Sequence, residues 1–107
     1  MTYDEELAER VRELVAGEPG LTEKKMFGGL AFLLGGNMAV AASGEGGLLV
    51  RVDPETSYDE PGVEPMVMRG REMTGWLRVP ADVVSTTKKL TTWVGRGVAY
   101  ARSLPPK

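Results

Sequence analysis

Leu30-Ala31-Phe32-Leu33-Leu34-Gly35-Gly36-Asn37-Met38-Ala39-Val40-Ala41-Ala42 decides the fold of this chain. Leu30 to Leu34 is apolar at every position. A strand of that kind is covered on both faces, so it is central in its sheet or lies under a partner. Gly35-Gly36-Asn37 is a turn signal, because glycine takes the positive φ that tight hairpins need. Met38 to Ala42 is the next strand. Upstream, Thr22 to Phe27 is a strand candidate. Downstream, Gly44-Glu45-Gly46-Gly47 marks a second turn and Leu48 to Val52 a fourth strand, in which only Arg51 breaks the apolar run. Turns this short imply antiparallel neighbours.

The flanks supply what must cover such a sheet. Tyr3, Leu7, Val11, Leu14 and Val15 recur at helical spacing, with Glu5, Glu6, Glu9 and Glu13 on the opposite side. Thr2 and Glu5 fit a capping box, and Gly17 and Pro19 stop the helix. Residues 53 to 65 read as a connector with a helical turn, Asp53 capping and Pro54 at the first position. A hairpin follows, Pro65 to Met68 and Glu72 to Val79 around Arg69-Gly70-Arg71. Its alternation puts Met73, Leu77 and Val79 on one face and Thr74, Trp76 and Arg78 on the other. After Pro80, Asp82 or Ser85 begins a last helix, about Thr86 to Leu104. Leu90, Trp93, Val94, Gly97, Ala101 and Leu104 share one sector of it. Gly97 on that apolar face implies a close approach of helix to sheet. The order α-β(4)-(α)-β(2)-α predicts one α+β domain over residues 1–107: a two-layer sandwich, antiparallel sheet with amphipathic helices on one face.

Composition excludes more chemistry than it suggests. The 107 residues include no cysteine and no histidine. Disulfides, thiolate nucleophiles, imidazole ligands and a Ser-His-Asp triad are therefore absent. A metal site would need oxygen ligands alone, and the acids lack calcium-loop spacing. The glycine pairs lead into strands rather than helix N-termini, so they read as hairpin turns, not as a phosphate cradle. Ser43, Ser57, Ser85 and Ser103 stand at turns or helix ends, where turn and cap roles account for them. The expectation is no catalytic residue, no cofactor and no metal. The acid-rich N-terminus leaves no room for an apolar leader, and the cytoplasm is the default location.

Charge is unevenly placed. Residues 1 to 65 hold thirteen acids against five basic residues, and residues 66 to 107 hold eight basic residues against two acids. The halves can attract each other within one fold or across a dimer, or the basic half can face nucleic acid. Lys88, Lys89, Arg96 and Arg102 share one helical face and are the candidate nucleic-acid surface, although an ordinary solvated face is the favoured reading of them. Trp76 and Arg78 share a strand face, and both residue types anchor interfaces. Trp76 can also simply fill an edge of the core.

Three stretches resemble the N-terminal domain of the TfoX/Sxy family: Lys24-Lys25-Met26-Phe27-Gly28-Gly29-Leu30-Ala31-Phe32, then Gly36-Asn37-Met38, then Met73-Thr74-Gly75-Trp76-Leu77. The ending Ala99 to Lys107 is also similar to that of short, stand-alone members. The resemblance implies a secretion-chaperone-like two-layer fold. It also implies a link to competence or transcription regulation through protein contacts, with the transcription machinery as partner. A fuller helix is usual in the family where residues 53 to 65 lie. The sequence-level expectation is a non-catalytic regulatory or adaptor domain, homodimeric. Its contact surface is Lys24, Lys25, Met26, Phe27, Gly28 and Gly29 together with Trp76 and Arg78. Weak nucleic-acid binding is the alternative and a small-ligand carrier the third reading; no membrane contact is expected.

Overall fold

The computed structural model describes residues 4–26, 28–44, 46–55, 61–68 and 70–105. The elements run α1 (Glu5–Val15), β1 (Leu21–Met26), β2 (Gly29–Leu34), β3 (Asn37–Ala42), β4 (Leu48–Arg51), β5 (Glu64–Met68), β6 (Arg71–Val79) and α2 (Thr87–Ser103). The six strands form one antiparallel sheet in the order β1-β2-β3-β4-β6-β5. The α+β sandwich read from the sequence is the fold observed. One connection departs from a simple meander: β4 pairs with β6, and β5 lies outside it as an edge. The expected helical turn in the connector falls partly outside the described residues. At its start the Asp53 carboxylate accepts a hydrogen bond from the Glu55 amide at 2.9 Å.

The first helix is capped by Asp4, whose carboxylate accepts from the amides of Glu6 (3.0 Å) and Leu7 (3.1 Å). The capping box expected at Thr2 is replaced by this cap two residues later; Thr2 and Tyr3 lie outside the described residues. Leu7, Ala8, Val11 and Val15 are buried. Leu14, expected in the same stripe, is 37% exposed because it falls on the margin of the buried sector. The last helix starts at neither Asp82 nor Ser85. Thr86 is its cap, its hydroxyl accepting from the Lys89 amide at 3.2 Å.

Both helices enter one core. Leu7, Val11 and Val15 of α1 and Leu90, Trp93 and Val94 of α2 cluster with Leu30, Phe32, Val40, Ala42, Leu48, Val50 and Val79 of the sheet. These strand residues alternate with Ala31, Ala41 and Leu49, which belong to neither core cluster. The helices therefore share one sheet face. Gly97 explains how α2 gets so close: a Cβ there would collide with the Ala39 carbonyl and stand 2.7 Å from Val40 Cγ1. The predicted close approach is real.

Leu30 to Leu34 is an interior strand, second from the β1 edge. Phe32 and Ala31, on opposite faces, are both fully buried. Gly35 and Gly36, at φ 58° and 87°, turn β2 into β3. Asn37, read as part of that turn, is instead the first residue of β3. It is 2% exposed, and its side-chain amide donates to the Pro105 carbonyl at 2.9 Å, fastening the end of the chain.

The alternation expected along β6 is interrupted. Pro65 pairs with Leu77 but Met66 pairs with Met73, so Thr74-Gly75-Trp76 bulges away from β5. Gly75, at φ 86°, allows this, and its carbonyl accepts from the Val52 amide at 2.8 Å. Met73 and Leu77 are thus not on one continuous ladder, whereas Leu77 to Val79 alternate as expected, Val79 buried against the core.

Candidate interaction surface

The helices leave the other face of the sheet to its own side chains. The register sets Lys24, Ala31, Ala41, Leu49, Arg78 and Glu64 in one row across all six strands. Beside it, Thr22, Leu33 and Met38 pair in a second, shorter row. Leu33, Met38, Leu49 and Arg78 are half-buried, and Lys24 and Glu64 at the two edges are exposed. Ala31 and Ala41 are shut off from water, at 0% and 5%. The face thus has an apolar centre and charged rims.

The Lys24–Gly29 element divides by role. Lys24 and Lys25 lie exposed on the edge strand β1; Phe27 and the Met26 side chain are outside the described residues. Gly28 has φ 75°. A Cβ on Gly29 would collide with the Ala42 carbonyl, and one on Gly44 would stand 2.7 Å from the Gly28 carbonyl. The two glycines let the β1–β2 turn lie directly against the end of β3 and the loop after it. They form a packing junction, in which Gly28 and Gly29 of the expected contact stretch meet Ala42 and Gly44.

Trp76 and Arg78 do sit on neighbouring strand positions, each half-buried. Trp76 has a partner the sequence reading did not name: the Arg51 guanidinium lies 5.4 Å from its ring centre and 5.7 Å from that of Tyr100. Cation–π contacts of this range contribute about 0.5–1 kcal/mol at exposed sites. Arg51 thereby joins β4, β6 and α2. Its one signal in the sequence was a charge inside an apolar run.

The four cations proposed for nucleic acid do not act as one open face. Arg102 donates to Glu18 at 2.8 Å, joining the basic half of the chain to the acidic half. Arg96 lies 4.4 Å from the ring centre of Trp93, a residue 0% exposed. Lys88 and Lys89 are exposed on the first turn of α2. A shallow cavity of about 280 Å³ opens beside Arg102, lined by Pro19, Gly20, Leu34, Gly35, Ala101 and Leu104.

Among the described residues, no group of three acids is placed to hold a metal ion, and no helix is long and apolar enough to cross a membrane. One carboxylate is perturbed. The Arg12 guanidinium, bonded to Glu23 at 2.8 Å through both Nε and Nη2, holds that carboxyl below its ordinary value, against a smaller opposing effect of burial.

No curated protein and no solved structure matches the chain. The family model described as the TfoX N-terminal domain matches residues 13–101, from the end of α1 to the last turn of α2. That span takes in the glycine junction, the bulge at Gly75 and the Gly97 contact, and the chain belongs to the TfoX N-terminal domain family.

Proposed function

We propose that this domain is a non-catalytic regulatory or adaptor module that works through protein contacts made by its open sheet face, and that it self-associates there. The setting is control of transcription, as in the competence regulators of the family. One observation carries the reading. Both helices are committed to one side of the sheet, while the register sets half-buried Leu33, Met38 and Leu49 on the other side. A contiguous apolar patch rimmed by charge is a usual mark of a protein-contact site. The histidine- and cysteine-free composition is in keeping with a binding role.

Light scattering over a concentration series tests this. The expected particle at high concentration has twice the 11.6 kDa protomer mass. Leu49→Glu should return it to the protomer mass while the far-ultraviolet circular dichroism of the folded chain is kept, since Leu49 is outside the core clusters. A wild-type protomer mass at every concentration would remove self-association from the reading.

A further inference from the structure

The open face differs in charge between its two edges. Along its longest row the edge residue on β1 is the cation Lys24. The edge residue on β5 is the acid Glu64, and Ala31, Ala41 and Leu49 lie between, followed by Arg78. A second copy can be laid on such a face about a two-fold axis in two simple ways. An axis across the strands sets every strand over its own counterpart, so Lys24 meets Lys24 and Glu64 meets Glu64. An axis along the strands reverses their order, so β1 of each copy lies over β5 of the other.

We propose that two copies stack open face to open face about a two-fold axis parallel to the strands, pairing Lys24 of each with Glu64 of the other. This rests on the protein-contact reading above and specifies its geometry. The contact is self-complementary, as a two-fold interface must be. Every favourable pair occurs twice, and like charges at matched positions, which disfavour a partner, are avoided at both rims. Face-to-face sheets lie about 10 Å apart, a gap that a lysine and a glutamate span from opposite sides. In the middle, β3 lies over β4, so apolar Ala41 and Leu49 of each copy meet those of the other.

The expected affinity is modest. Six strands at about 4.8 Å spacing make a face about 24 Å wide. With rows of a few residues, the area removed from water is on the order of 1,000 Å² for the pair, the lower end for specific complexes. Contacts of this size are often transient, so the association must be followed from about 1 to several hundred micromolar.

Sedimentation equilibrium on the full chain, with Lys24→Glu, Glu64→Lys and the double variant, decides the geometry. Lys24→Glu should weaken the dimer about tenfold, since it turns two opposite-charge contacts into two like-charge ones. Glu64→Lys should weaken it as well, although Arg78 beside it in the same protomer also loses its neighbouring acid. The double variant should recover affinity to within about threefold of wild type. Carbodiimide cross-linking of the wild type should yield an intermolecular Lys24–Glu64 peptide. A dimer indifferent to the single changes, or not rescued by the double, overturns this geometry while leaving the protein-contact reading in place. A chain that stays monomeric throughout overturns the geometry and self-association together.

Discussion

Gly97 on α2 lies so close to Ala39 on β3 that a single added carbon would collide with the Ala39 carbonyl. Two residues earlier on the same helix, Gly95 has nothing within 4 Å of where its Cβ would stand. Both glycines weaken the helix by about 1 kcal/mol relative to alanine. Only at Gly97 does the tertiary structure require it. Gly95→Ala should therefore stabilise the domain by up to about 1 kcal/mol. Gly97→Ala should destabilise it by about 1–3 kcal/mol, the usual range for overpacking. Thermal melts should show opposite shifts of a few degrees. Equal effects at the two sites would contradict the packing described.

The glycine junction makes a second pair of outcomes. Gly29→Ala, which drives a Cβ into the Ala42 carbonyl, should cost about 1–3 kcal/mol in urea denaturation. Gly46, also at positive φ (93°) but with open space around its Cβ position, should accept alanine for only the backbone penalty of about 1–2 kcal/mol. Asparagine there should cost less still.

Glu23 ties acid stability to Arg12. Its folded-state value is lowered, so the pair stabilises the fold fully above the ordinary carboxyl value of 4.5 and loses that contribution as pH falls below it toward the lower folded value. Glu23→Gln should flatten the fall in melting temperature between about pH 5 and pH 3. It should lower stability at neutral pH only slightly, since exposed pairs are worth about 0.2–1 kcal/mol. A loss that persists undiminished at pH 3 would assign Glu23 a different role.

Asn37→Ala removes the donor to the carbonyl of exposed Pro105, which water can then reach, a change worth about 0.5–1.5 kcal/mol. Hydrogen exchange should report it first at the last turn of α2, whose Leu104 amide bonds to the Ala101 carbonyl, before the sheet is affected.

For nucleic acid the expectation is negative. With Arg102 bonded to Glu18 and Arg96 against Trp93, α2 presents Lys88 and Lys89, too few for measurable affinity at moderate salt. Fluorescence anisotropy with a labelled duplex at 50 mM salt should stay flat. Micromolar binding lost on Lys88→Glu, Lys89→Glu would reverse this.

The order of elements, the two-layer class and the inward stripes were legible in the sequence. Each depends on residues near in the chain: period-two and period-3.6 patterns, and glycines where a turn demands positive φ. The Gly35-Gly36 hairpin and the apolar face of α2 are cases. What the sequence could not show were relations between residues far apart. The exchange of β5 and β6 at the edge, the bulge at Gly75, Arg51 between Trp76 and Tyr100, and Arg102 bonded to Glu18 all join separate elements. So does the row from Lys24 to Glu64. Local pattern fixes which side of each strand is apolar, but register alone decides which side chains from different strands stand next to one another.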